Sequence, residues 1–260
     1  MGLLRHNKRS FLYGSAVLML SMAVVKLLGA LFKIPLASLL RETGMGYFTS
    51  AYTIYTAVYA LAVSGLSAAT ARMTSSCLSK GKPAGRILKA SMLLFIGIGV
   101  MGSAAAALLA KPFSGWVNSP QTVWSVLALS PAILFCCIMA AFRGYYEGCS
   151  DMRPTAMVQV IEAAVKALGG LLFAYFAIQK GMQDFDAGRL VYGTYCETRD
   201  AAIQAAIPFA SAAAMVGVTL STAAGSIYLF LFHKKQKHHK AGKTPYRKIC
   251  KELLHTAVPI

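Results

Sequence analysis

Charge is scarce in this sequence. Asp, Glu, Lys and Arg make up 13% of its 260 residues, about half the roughly 25% of an average soluble domain. That shortage excludes an ordinary soluble enzyme domain, a disordered tail and a coiled coil. Acids are scarcer still: nine Asp and Glu stand against 26 Lys and Arg, a formal charge of +17. On a polar chain such an excess would point to nucleic acid. Here the cations sit between long apolar runs and the mean hydropathy is +0.56. Nucleic acid is therefore not an expected partner, and the pattern is that of a membrane protein with cationic loops. The cysteines (Cys77, Cys136, Cys137, Cys149, Cys196 and Cys250) form no C-x-x-C pair and no disulfide framework. Cys136 and Cys137, adjacent in an apolar run, read as small core residues with reduced thiols. There is no G-x-S-x-G, no Walker A loop and no H-E-x-x-H, so neither an enzyme nor a cofactor or metal site is expected.

A spanning helix needs about 20 mainly apolar residues. Six stretches qualify, at 11–40, 47–71, 87–110, 122–142, 155–179 and 203–232, which predicts an all-α polytopic membrane protein. Arg5, Lys8 and Arg9 ahead of the first run resemble the start of a signal peptide. The run is too long for one, however, and contains Lys26, Lys33 and Pro35. The loops alternate in charge. One side collects 18 basic residues, from the N-terminus, the 72–89 loop, Arg143 and Arg153, and the 234–251 segment. The other holds five, together with five of the nine acids. Basic loops stay cytoplasmic, so the N-terminus and residue 251 are both expected inside, at a plasma membrane.

Residues 1–233 then form one transmembrane lobe, and 234–251 a basic cytoplasmic linker that lies against anionic lipid headgroups, each Lys or Arg near the surface contributing about 1 kcal/mol. His233, His238 and His239 read as solvated, since the surrounding lysines repel a metal cation. Residues 252–260 resemble the opening of a further apolar segment. The chain is therefore expected to be part of something longer.

Four ionisable residues fall inside the spans: Lys26, Lys33, Glu162 and Lys166. Each costs about 2.5–3.5 kcal/mol at a helix centre and normally faces a cavity or a partner. Lys26 and Lys33 are seven apart, on one helix face and about 10 Å apart along the axis. Gly29 and Ala30 lie between them and leave room for an anionic ligand. Alternatively, Lys33 snorkels to the interface. Gln159, Glu162, Lys166 and Gly169 share another face, with Glu162 and Lys166 in the favourable i,i+4 order for an ion pair. Such a pair either neutralises itself or serves a ligand. Three lysines against one glutamate leave an electropositive interior, suited to phosphate or diphosphate. Tyr52, Tyr55 and Tyr59 form a stripe on the second span. Packing and a sugar-lined cavity are both open readings of it.

Three stretches carry a resemblance: KLLGALFKIPLASLLRETGMGYFTSAYTIY (26–55), SGLSAATARM (64–73) and PAILFCCIMAAFRGYYEGCSDMRPTAMVQVIEAAVK (131–166). They resemble the stage V sporulation protein B-like and lipid II flippase-like members of the multidrug/oligosaccharidyl-lipid/polysaccharide exporter superfamily. The resemblance implies one lobe of a two-lobed bundle around a central cavity. It implies a flippase that moves a lipid-linked saccharide diphosphate, a peptidoglycan or polysaccharide precursor, to the outer leaflet. Lys26 and Lys33 match the basic first-helix region of those flippases, whereas their second-helix charge is replaced here by the tyrosine stripe. Arg143, Glu147 and Arg153 match a cytoplasmic loop between the fourth and fifth helices and are expected as gate or headgroup contacts. A drug or cation antiporter of the same superfamily is the competing reading, for which Glu162 alone supplies a deep acid. A scaffold or a non-transporting fragment is another.

Overall fold

The structure, a computed structural model, describes residues 2–81, 83–235, 249, 250 and 253. Five helical elements follow one another: α1 (Gly2–Ser79), α2 (Gly85–Trp116), α3 (Thr122–Gly148), α4 (Arg153–Asp186) and α5 (Arg199–Lys235). At 1.5 Å per residue, 78 residues of straight helix would run about 117 Å, several bilayers thick. The chain instead breaks at Arg41, whose backbone (φ 56°, ψ −173°) is not helical. This divides α1 into two arms, α1a (2–40) and α1b (42–79), and gives six long helices among the described residues. Arg41 is tied across to Asp200 at the start of α5 by an exposed ion pair of 3.3 Å, a contact of 1 kcal/mol or less.

All five elements contain stretches long and apolar enough to cross a membrane, and their outer faces agree. Met19, Leu27 and Ile34 on α1a, Leu93, Met101 and Leu108 on α2, and Leu168 and Phe176 on α4 all lie exposed. In water such faces would drive association; in lipid they are at home. The protein is an all-α, multi-pass membrane protein.

The elements are longer than the apolar runs predict, because a helix does not stop at its first charge. α3 continues past 142 to Gly148 and carries Arg143 and Glu147 with it. The expected loop position of these two residues is thus corrected. Arg143 is helical and points inward, and only Arg153, opening α4, lies beside the 149–152 turn. His233 is corrected too. It belongs to α5, half-buried against Tyr145 and Tyr146, with Nδ1 3.1 Å from the Tyr146 hydroxyl. His238, His239 and most of the 234–251 and 252–260 segments lie outside the described residues.

α3 is the axis of the bundle, packed against α1, α2 and α5. With no hydrophobic drive between helices in lipid, close approach needs small residues and shared polar groups. Both are present. Gly144 and Gly148 bring α3 against the backbone of α1b, where an added Cβ would come within 2.6 Å of the Ser67 and Ala71 carbonyl oxygens. Thr219 Oγ donates to the Ala128 carbonyl (2.7 Å), Ser226 Oγ to that of Phe135 (2.9 Å), and Ser125 pairs with Ser211 (3.0 Å). Pro131 is tolerated for a specific reason. The Leu127 carbonyl that its missing N–H leaves unpaired accepts the Ser130 hydroxyl at 2.9 Å.

The 187–198 connection closes one end of α4 and α5. Tyr192 stacks on Phe209 (4.3 Å between ring centres) and donates to the Ala177 carbonyl at 2.8 Å. Burial and the neighbouring Asp184 carboxylate hold its phenol above the ordinary range.

Candidate functional site

A recess of about 260 Å³ opens where α1a, α3 and α4 meet. Met22, Val25 and Lys26 come from α1a, Arg143 from α3, and Gln159, Glu162, Ala163 and Lys166 from α4. Helical spacing explains the set. Gln159, Glu162, Ala163 and Lys166 fall at i, i+3, i+4 and i+7 and stack on one face of α4, while Met22 and Lys26 are one turn apart on α1a. Ser21 Oγ reaches Gln159 Oε1 at 3.4 Å and closes the seam between the two helices. Lys26 stands exposed at the lip, Lys166 is half-buried and Ala163 is buried at the floor. A Cβ on Gly29 would meet nothing within 4 Å, and neither Gly29 nor Ala30 lines the recess.

Arg143 organises the interior. Its Nη2 donates to Glu162 Oε2 at 3.2 Å, with the side chains only 16% and 24% exposed, and its Nη1 makes a long 3.5 Å bond to the Tyr59 hydroxyl. Its Nε is buried without a hydrogen-bond partner. Glu162 therefore pairs across helices with Arg143, not along its own helix with Lys166 as the i,i+4 spacing predicts. The reason lies in solvation. The guanidinium is enclosed, its side chain only 16% exposed, and so in need of a counter-charge. Three cations face one carboxylate, so the recess carries a formal charge of +2. Lys26 and Lys166 make no ion pair among the described residues.

Sequence reasoning singles out Lys26, Glu162 and Lys166, which line the recess; it names Arg143 only as a gate or headgroup contact in a loop, whereas the structure brings it into the recess. Lys33 does not line the recess and lies exposed on the same arm. Tyr52 and Tyr55 are not in its lining either: Tyr55 is buried and hydrogen-bonded to the Cys136 thiol. The tyrosine stripe is part of an aromatic ladder, Phe48–Tyr52–Tyr55–Tyr59, stacked at its two ends and tilted at Tyr52–Tyr55, with ring centres 5.6–6.0 Å apart. Only its last hydroxyl, on Tyr59, reaches Arg143. Glu147, half-buried on the last turn of α3, and the exposed Arg153 stay at the 149–152 end, outside the lining.

Chemically, the recess is suited to a multiply charged anion. An apolar cleft of about 490 Å³ between α1b and α2, lined by Ile54, Leu109, Phe113 and Trp116 among others, offers no charged side chain and cannot recognise a headgroup. Among the described residues no three His, Cys, Asp or Glu lie close enough together to hold a metal ion.

The chain is 28% identical to the lipid II flippase MurJ of Bacillus subtilis (strain 168), over 95% of this chain and 45% of that protein. It is 24% identical to stage V sporulation protein B of the same organism, over 91% of this chain and 41% of the relative. An uncharacterized membrane protein, YabM, again from B. subtilis, matches 70% of the chain at 23% identity. The chain thus spans less than half the length of these curated relatives. No solved structure matches it. The polysaccharide biosynthesis protein family matches residues 11–179, a stretch that contains every residue lining the recess. The chain belongs to that family, within the multidrug/oligosaccharidyl-lipid/polysaccharide exporter superfamily.

Proposed function

We propose that this chain is a lobe of a flippase that carries a lipid-linked saccharide diphosphate from the inner to the outer leaflet. The observation that carries the reading is the recess with a formal charge of +2 between helices long and apolar enough to cross a membrane. Unpaired charge in hydrocarbon costs many kcal/mol. Lys26, Lys166 and Arg143 replace the hydration that a diphosphate loses, while its lipid tail stays in the bilayer. Similarity to a lipid II flippase supports a peptidoglycan or related polysaccharide precursor as cargo. Alternating access needs a second bundle rocking against the first, and the relatives' additional length is where such a bundle would lie. An antiporter for cationic drugs is disfavoured by one observation: the recess's only carboxylate, Glu162, is already paired with Arg143.

The test uses the purified chain in nanodiscs of neutral lipid, titrated with farnesyl diphosphate and, in parallel, farnesol. Saturable binding of the diphosphate and none of the alcohol is expected. Equal behaviour of the two ligands overturns the reading.

The orientation belongs to the same proposal. With the N-terminus inside, the recess lies in the inner half of the membrane, open to cargo arriving from the cytoplasm. In intact cells carrying Asn118→Cys or Lys80→Cys, a membrane-impermeant maleimide is expected to label only the first. Labelling of Lys80→Cys alone reverses the topology. The six native cysteines are replaced first, because Cys196 in the 187–198 connection falls on the same side as Asn118 in this topology and would react in every variant.

A further inference from the structure

Glu162 has two cations within reach. Arg143 holds it across helices at 3.2 Å, and Lys166 stands one turn further along its own helix, lining the same recess. Arg143 is enclosed and its Nε is a buried donor with no acceptor. The guanidinium fork is built for bidentate oxyanion recognition. A single carboxylate oxygen and one distant phenol leave that capacity underused, and the buried, unpartnered Nε marks where a further acceptor is wanted.

We propose that Glu162 is a displaceable stand-in for the anionic ligand: it occupies Arg143 while the recess is empty and passes to Lys166 when a diphosphate arrives. This inference rests on the diphosphate reading above. The exchange conserves ion pairing. Before binding, Arg143 is paired with Glu162; afterwards, Arg143 and Lys26 meet the diphosphate and Lys166 takes the carboxylate in the favourable i,i+4 order. Neither Arg143 nor Glu162 is left unpaired in either state, which would be costly for such enclosed groups. The arrangement also selects its cargo. A singly charged headgroup offers Arg143 no more than Glu162 already does, whereas a diphosphate brings more charge and more oxygens. The exchange couples occupancy of the site to the α3–α4 contact, because the Arg143–Glu162 pair is the ion pair that joins those two helices among the described residues.

The test titrates farnesyl diphosphate into the purified chain in neutral nanodiscs, with inorganic pyrophosphate in a second arm. Glu162→Gln, which removes the competing charge, is expected to bind about tenfold more tightly than wild type. Glu162→Asp separates competition for Arg143 from charge in general. It keeps the negative charge and a counter-charge for folding, but its shorter side chain retreats from Arg143. It too is expected to bind more tightly than wild type. In an Arg143→Gln background, Glu162→Asp should give no gain. A gain shared by pyrophosphate assigns recognition to the diphosphate itself, and a gain confined to farnesyl diphosphate assigns it to a lipid-linked one. If Glu162→Asp binds as wild type does, or Glu162→Gln binds no more tightly, the exchange is wrong. If that happens while Lys26→Glu still abolishes binding, the cationic site stands without the exchange. If neither wild type nor any variant binds, the diphosphate site falls and the exchange falls with it.

Discussion

Replacing Lys26 by glutamate is expected to abolish diphosphate binding, and with it any transport that depends on the site. The substitution takes the recess from a formal charge of +2 to zero and sets a carboxylate at its lip. Two unit charges 5 Å apart interact by about 0.8 kcal/mol in water and about 3.3 kcal/mol at the effective dielectric of a protein surface. Reversing one of them doubles the difference, to about 2–7 kcal/mol. Because Lys26 is exposed at the lip, the lower figure is the safer one, and it already exceeds a tenfold loss. Lys26→Arg should bind within a few-fold of wild type, since charge is kept and guanidinium suits phosphate. Lys33→Gln should be milder still, because that side chain stands outside the lining. Titration of the three purified variants with farnesyl diphosphate, at matched folded amounts, checks the order. If Lys26→Glu binds as wild type does, Lys26 serves insertion or packing, and the cationic mechanism loses its entry residue.

How much of this site was legible in the sequence depends on which element carries each residue. On α4 the reading was nearly complete. Gln159, Glu162 and Lys166 recur at helical spacing inside an apolar run, and any helix through them must place them on one face. Lys26 was legible for a related reason, since a lysine deep in a span demands a cavity or a partner. Arg143 was not. A span count stops at the first charge after 20 apolar residues, so the arginine fell into a loop. Its partner is 19 residues on, in the next helix, and no local pattern shows that a charge will be neutralised from there. The Glu162–Lys166 pair failed for the same reason, because a local preference worth a few tenths of a kcal/mol yields to the need of an enclosed guanidinium. The helix count survived a different difficulty. No glycine or proline stands at Arg41 itself, yet the backbone turns there, because the apolar length on either side exceeds what one bilayer crossing can bury.

The RGYYEG motif has a physical meaning that leads to the second large effect. Gly144 and Gly148 are one turn apart and face α1b at the 64–73 stretch, the SGLSAATARM segment. A Cβ at Gly144 would stand 2.6 Å from the Ser67 carbonyl oxygen. One at Gly148 would stand 2.6 Å from both the Ala71 carbonyl oxygen and the Thr74 Cβ. These neighbours are backbone and a β-carbon, not the ends of flexible side chains, so the helices themselves must part. Parting them also moves Arg143, the residue before Gly144, away from Tyr59 on the same arm. Gly144→Ala is therefore expected to cost about 1–3 kcal/mol through overpacking. Gly148→Leu should exceed that and prevent a monodisperse bundle. Gly97 on α2 is the control, because a Cβ there meets nothing within 4 Å. Gly97→Ala should be neutral or stabilise by up to about 1 kcal/mol, from the helix preference for alanine. Thermal unfolding in detergent, followed by size-exclusion chromatography of each variant, reads the contrast directly. Should Gly144→Ala melt together with Gly97→Ala, the close α1b–α3 crossing is not what holds Arg143 in place, and the motif needs another explanation.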